Sequence, residues 1–185
     1  LAEMTKKAIE LLSLDPDGFF LHVEGSQGDW AGHANDPIYM VTDFLAFDEA
    51  VKVACDFADK EGNTMVIAFP DHDTGGMKIG TYYTPMQYTK TKIEDLVDPL
   101  KGMKITSGGL VRLMDTDGDG AISDAEIVAG IETYWSITIS EEELSYIRSL
   151  EPSVGLSYAI SRAVSLYHTV IGWTTHGHNG ETVPL

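Results

Sequence analysis

The sequence predicts an α/β fold, part of a mostly parallel sheet flanked by helices, with a helical insertion in its later half. Two short apolar runs, each preceded by a helical pattern and each ending in a cluster of polar residues, carry that expectation. Helix, strand, helix, strand in this order suggests parallel pairing, and in open α/β sheets ligands gather beyond the carboxyl ends of the strands.

Residues 2–14 space Met4, Ala8, Leu11 and Leu12 in a helical pattern, and Asp15-Pro16-Asp17-Gly18 breaks it. Phe19-Phe20-Leu21-His22-Val23 then reads as a buried strand that ends at Glu24-Gly25. From Pro37 to Lys60 the positions Val41, Phe44, Leu45, Val51, Ala54, Cys55 and Ala58 form one helical stripe, with Pro37 suited to a first turn. Glu61-Gly62-Asn63 stops it. Thr64 to Phe69 is the second strand expectation, running into Pro70-Asp71-His72-Asp73-Thr74-Gly75-Gly76. From residue 80 to 170 short helical patterns alternate with polar turns. Ser140 followed by Glu143 is a capping box, and Leu156 to Ile171 reads as a further helix. The expected organisation is a metal-binding α/β segment over 1–80, an insertion over 81–171, and a return to the core over 172–185.

The chain has 185 residues, 43% hydrophobic and 22% charged, which suits one globular unit with an insertion. Twenty-nine acidic residues against 12 basic ones give a net charge of -17. That balance repels nucleic-acid phosphates and anionic membranes and favours metal ions, although a merely solvated acidic surface accounts for most such charges. No apolar run approaches the roughly 20 residues of a membrane span. Cys55 is alone, so no internal disulfide forms, and its neighbours read as a helix face with the thiol as core filler. The chain begins at Leu1 without Met, which suggests an excised or mature piece.

Glu24, Asp29 and His33 offer two carboxylates and an imidazole, donors that Zn²⁺ and Mg²⁺ accept. Asp29 and His33 stand four apart, so one helical turn puts them on one side. Taken alone, such a pair is more often a surface ion pair than a ligand set. Asp71-His72 gains weight from its place at the end of an apolar run and from the glycines that follow.

Taken together, Glu24-Gly25, Asp29, His33, the Asp71-His72-Asp73-Thr74-Gly75-Gly76 segment and Gly177-His178-Asn179-Gly180-Glu181 resemble the alkaline phosphatase family in order, spacing and context. The resemblance covers roughly residues 1–80 and 172–185. It implies that Asp29, His33 and His178 hold one zinc, that Asp71 and His72 serve a second, and that Glu24 goes to magnesium. It also implies small phosphate monoesters as substrates, a secreted or periplasmic setting, and a homodimer as a possible state of the full-length protein. His176 stands two residues from His178, and the Gly-His-x-Gly-Glu pattern favours His178 as the ligand; His22 and His168 read as packed side chains.

Departures from the family pattern are Gly28 before Asp29, where an aliphatic residue is usual, and Pro70 before Asp71. The family's nucleophilic serine lies in an Asp-Ser-Ala segment, and no such segment occurs in this sequence. The expected catalytic complement is therefore metal ligands without a nucleophile, and both ends read as truncated.

The insertion holds one further motif. Residues 115–126 match the EF-hand loop, with Asp115, Asp117, Asp119, the Ala121 carbonyl, Ser123 and Glu126 as calcium ligands and Gly120 at the sharp turn. Helical patterns over 110–114 and 127–135 flank it. No second loop is visible, which points to a structural calcium rather than a sensor. A competing reading follows, a calcium-binding EF-hand or interaction module without catalytic activity. A third, a related phosphotransfer or sulfatase-like enzyme of the same superfamily, would need a different nucleophile segment.

Overall fold

The computed structural model describes residues 1–82 and 88–184; residues 83–87 of the expected insertion, and residue 185, lie outside the described part. Helices dominate it. α1 (Ala2–Leu12) packs on α3 (Pro37–Glu61), and α2 (Gln27–Ala34) leads into α3 through a tight elbow at Asn35-Asp36. The later half holds α4 (Ile93–Gly102), α5 (Ser107–Val111), α6 (Asp124–Trp135), α7 (Glu141–Val154) and α8 (Leu156–His168).

The main core lies among these later helices. Leu110, Met114, Ile127, Ile131, Trp135, Ile147, Ile160 and Val164 are fully buried in one cluster, and the Trp135 indole N–H donates to the Ile105 carbonyl at 2.7 Å. A buried Trp keeps its place only where that N–H finds an acceptor. Both helices at the centre of this cluster start from capping boxes, Ser123 with Glu126 on α6 and Ser140 with Glu143 on α7, the second as the sequence leads one to expect. At the far end of α8 the His168 imidazole is half-buried, with Nε2 2.7 Å from Glu143 Oε1 in the cap of α7.

The strands differ from expectation. Among the described residues the sheet structure consists of two short antiparallel pairs: β1 (Asp73–Thr74) with β4 (His178–Asn179), and β2 (Lys78–Ile79) with β3 (Ile171–Gly172). No parallel pair is present among them, and neither 19–24 nor 64–69 is a strand. A strand exists only through a neighbour that takes its backbone hydrogen bonds, and these two runs have none here. Their side chains show the same lack: Phe20 is 90% exposed and Met65 82%. Phe19 does reach a partner ring, Phe57 on α3, with centroids 6.1 Å apart.

The expected stripe on α3 is corrected as well. Its buried face is Pro37, Met40 and Ala50, while Phe44, Leu45 and Cys55 are exposed, so Cys55 is not core filler. α1 and α2 supply the largest share of the cover on this long helix, and Val41, Val51, Ala54 and Ala58 of the stripe are half-buried. His22 is likewise exposed rather than packed. α8 stops at His168 instead of continuing to Ile171 because Thr169 turns extended and its hydroxyl accepts the Ile171 N–H, which starts β3.

The elbow between α2 and α3 is held by two fully buried polar side chains. Asp36 caps α3 by accepting the Tyr39 N–H at 3.0 Å and, through its other oxygen, accepts the Ser107 N–H at 2.7 Å, which ties the elbow to α5. Burial pushes the Asp36 carboxyl up from its ordinary range, and the backbone N–H groups of Ser107 and Tyr39 pull it back only in part. With a raised folded-state value, the folded chain holds this proton more tightly than the unfolded one. The contribution of Asp36 to stability is therefore greatest at acid pH and declines as pH rises through the window above the ordinary carboxylate value. We expect the stability difference between wild type and Asp36→Asn, read from urea unfolding at a series of pH values, to shift against the wild type as pH rises from about 3.5 to 7. A difference that moves the other way refutes the assignment.

Candidate metal centre

Three short pieces of chain meet beside the elbow. α2 supplies Asp29 and His33, one turn apart on the same side. β1 and the residues before it supply Asp71, His72 and Thr74, and β4 supplies His178, placed opposite Thr74 by the antiparallel register. The two loops are sewn together by backbone bonds: Gly75 N–H donates to the Gly177 carbonyl at 3.1 Å, and the N–H groups of Thr174 and Thr175 donate to the Gly75 carbonyl at 3.0 and 3.2 Å.

Glycine is required at two points of this meeting. A Cβ on Gly32 would stand 2.5 Å from the Thr74 carbonyl oxygen, so a side chain there would push β1 off α2. Gly75 has φ +82°, and a Cβ there would stand 2.7 Å from the Gly32 carbonyl oxygen and 2.8 Å from the Trp173 ring. Gly28 imposes no such demand, since a Cβ there would meet Phe44 at an ordinary 3.5 Å.

The side chains converge. One ligand atom from each of Asp29, His33 and His178 falls within a group whose members all lie within 4.8 Å of one another. His33 Nε2 is 3.5 Å from Asp29 Oδ2, and His178 Nε2 is 3.4 Å from Asp29 Oδ1. The His72 ring stacks on the His178 ring with centroids 3.7 Å apart, and His72 Nε2 is 3.4 Å from Asp71 Oδ2. Two imidazole nitrogens and a carboxylate oxygen are a donor set that zinc accepts. Asp71 and His72 adjoin this group but supply only two donors, and the Asp71 side chain is 86% exposed. Glu24 is exposed and stands outside the grouped donors.

Outer partners orient the first group. His33 Nδ1 lies 2.7 Å from the His176 carbonyl oxygen. A carbonyl can only accept, so Nδ1 carries a proton and, in the neutral ring, Nε2 holds the lone pair on the side of Asp29. His176 thus takes part through its backbone, while its ring lies edge-on to Tyr158 at 5.5 Å. The sequence gives no signal for this carbonyl, because any residue type supplies one. On the other side, the Thr74 hydroxyl lies 2.5 Å from Asp29 Oδ1 and 3.2 Å from His72 Nδ1. The Asp-His-Asp-Thr-Gly-Gly spacing marks Thr74 only as a neighbour of candidate ligands.

The loop at 115–126 has a different character. Asp115, Asp117 and Glu126 each offer an oxygen to a second group within 4.8 Å; Asp119 is not in that group, and its Oδ1 accepts the Ala121 N–H at 2.7 Å. Loop N–H groups also bond to Asp115 and Asp117, those of Gly118 and Gly120 to the former and that of Asp119 to the latter. The Glu126 carboxylate accepts from the backbone and hydroxyl of both Ser123 and Thr116. Those bonds, led by the Ser123 N–H, pull its pKa down to about 2. The helix before the loop is short, since α5 ends at Val111 and residues 112–114 form a turn rather than the expected helical run over 110–114.

Comparison with known proteins bears on the family of the chain. The family model described as alkaline phosphatase matches residues 1–185. Alkaline phosphatase 3 of Bacillus subtilis is 34% identical over 192 residues, covering 100% of this chain and 38% of the relative. A cold-active alkaline phosphatase from a psychrophilic Shewanella superposes with a TM-score of 0.76 at 27% identity, covering 97% of this chain and 42% of that one. The Thermus thermophilus alkaline phosphatase superposes with a TM-score of 0.82 over 98% of this chain and 40% of that one, and at 23% identity this likeness speaks for the fold. The chain spans well under half the length of each of these proteins, and with the family model matching it from end to end, it belongs to the alkaline phosphatase family.

Proposed function

We propose that this chain is the metal-binding segment of an alkaline phosphatase-type phosphomonoesterase that acts on small phosphate monoesters. The observation that carries this reading is the meeting of Asp29 and His33 from α2 with His178 from β4, with the His72 ring stacked on His178. In this reading Asp29, His33 and His178 hold one zinc, Asp71 and His72 contribute to a second, and Glu24 serves a magnesium. Two such ions together supply charge that steadies both the attacking and the leaving oxygen of an in-line phosphoryl displacement.

The chain's own residues bind and orient. His33 presents Nε2 because its Nδ1–H is spent on the His176 carbonyl. Asp29 offers one carboxylate oxygen toward each of His33 and His178. Their side chains remain open to solvent, His178 by 53% and His33 by 43%, so a phosphate ester can approach the cluster from that side. The nucleophile is not among these groups, as no Asp-Ser-Ala segment occurs in the sequence.

A secreted or periplasmic setting and a homodimeric full-length protein go with the family. The acidic balance of -17 argues against nucleic acid or an anionic membrane as partner, and among the described residues no helix is long and apolar enough to cross a membrane. For the loop at 115–126 we propose a structural calcium, with Asp115, Asp117, Asp119, the Ala121 carbonyl, Ser123 and Glu126 as its ligands. The oxygens of Asp115, Asp117 and Glu126 already stand together there. That grouping also supports the second reading, a calcium-binding module without catalytic activity.

Zinc separates the two readings. Three donors at one site against two at the other should give unequal affinities, with about one zinc bound tightly per chain. We expect His178→Ala to abolish that tight binding in calorimetric titration. A wild-type chain that binds calcium but no zinc would favour the second reading.

Calcium titration of the same chain should give a heat that Glu126→Gln strongly reduces. Heat that is absent, or unchanged by the substitution, removes calcium from the loop.

Turnover tests the function itself. With zinc and magnesium present, this chain should hydrolyse a chromogenic phosphate monoester no faster than background, since covalent catalysis needs the nucleophile. In a longer chain that carries the Asp-Ser-Ala segment, His178→Ala should lower kcat/KM by more than the roughly 10–100-fold that loss of an outer-shell partner costs. A fully active His178→Ala protein would take His178 out of the centre.

A further inference from the structure

We propose that Thr74 is a positioning residue that joins the two candidate metal sites through one hydroxyl, fixing the His72 tautomer and the Asp29 carboxylate together. This rests on the reading of Asp29 and His72 as metal ligands. The geometry restricts the protons. Thr74 Oγ1 lies 2.5 Å from Asp29 Oδ1, and two oxygens at that separation need a hydrogen between them. A carboxylate has only acceptors to offer, so the hydroxyl proton of Thr74 points at Asp29. The same Oγ1 lies 3.2 Å from His72 Nδ1 and has no second proton to give. His72 must therefore donate from Nδ1, and in the neutral ring Nε2 keeps its lone pair.

The direction of this chain, from His72 Nδ1–H to Thr74 Oγ1–H to Asp29 Oδ1, has two effects. It selects for His72 the imidazole form whose Nε2 can bind a metal, and it holds Asp29 from one side while His33 and His178 flank it. The parts that place the hydroxyl are rigid. Thr74 is 7% exposed, stands in the β1–β4 register opposite His178, and has its carbonyl wedged against Gly32 of α2. A residue at 74 without a hydroxyl leaves His72 Nδ1 without this acceptor and Asp29 Oδ1 without this donor. His33 gets the equivalent service from the His176 carbonyl, so each of these two imidazoles has its own outer partner.

Two measurements test this on the 185-residue chain. The first needs no substitution: long-range ¹H–¹⁵N correlation spectra of the metal-free protein should show His72 as the Nδ1–H tautomer. A His72 ring without a proton on Nδ1 overturns the proposal. The second is zinc titration of wild type, Thr74→Val, Thr74→Ala and Thr74→Ser, with Asp29→Asn and His178→Ala as references. We expect Thr74→Val and Thr74→Ala to weaken zinc binding roughly 10–100-fold, the usual cost of losing an outer partner, and to shift His72 away from the Nδ1–H form. Thr74→Ser, which keeps the hydroxyl, should restore both readouts. If the Asp29 and His178 variants lose zinc while Thr74→Val binds as wild type does, the role of Thr74 fails and the metal site stands. If the reference variants also bind as wild type does, the metal site itself is misassigned and the proposal falls with it. Should Val and Ala both unfold the chain, the wild-type tautomer and the Thr74→Ser affinity still decide.

Discussion

The elbow at Asn35-Asp36 is the constraint on which the arrangement of the chain turns. Asn35 has no exposed surface and sits in the left-handed region at φ 47°, where an Asn is tolerated better than most residues. Its amide is fully engaged. Nδ2 donates to the carbonyls of Gly32 and Thr175, both at 2.8 Å, and Oδ1 accepts from the Tyr158 hydroxyl at 3.2 Å and from Arg162 at 3.0 Å. One side chain thereby fixes the end of α2, the tail loop that leads to His178, and α8. Asp36 adds α3 and α5. An unmet buried polar group costs on the order of 1–3 kcal/mol, so alternative dispositions of these five pieces are penalised together.

The candidate centre follows from that constraint. α2 brings Asp29 and His33, and the tail loop brings His178, from positions far apart in sequence. The bond from Asn35 to the Thr175 carbonyl, the contact of His33 Nδ1 with the His176 carbonyl and the β1–β4 ladder together set where His178 lies relative to α2. Gly32 and Gly75 then let the backbone segments touch. The candidate ligands are half-buried or exposed polar groups that contribute little packing of their own, and the precision of their placement is borrowed from buried groups behind them.

How much of this could be read beforehand depends on how local the cause is. The four-residue spacing of Asp29 and His33 speaks for one helix face, and α2 provides it. Capping at Ser140 was equally legible, because a Ser followed three residues later by Glu satisfies backbone groups within a single turn. Phe19–Val23 and Thr64–Phe69 misled for the opposite reason: composition announces a residue's preference for a sheet, but pairing depends on a neighbour elsewhere, and among the described residues none stands beside them. Cys55 and Leu45 show the same limit on a helix, where periodicity gives a stripe but not the surface that would cover it. The His176 carbonyl and the Thr74 hydroxyl were illegible in another sense. Their roles belong to orientation across a contact, which no residue count along the chain encodes.

α8 gives the centre a consequence beyond its geometry. Through Tyr158, Ser161 and Arg162 this helix grips the elbow, and through Ile160 and Val164 it belongs to the large helical core. The candidate cluster and the helices of the later half are therefore joined through α8. Whatever loosens the helical body frees Asn35 and lets the ligands drift apart, and any ion that favours the assembled ligands is by the same linkage a stabiliser of helices it never touches.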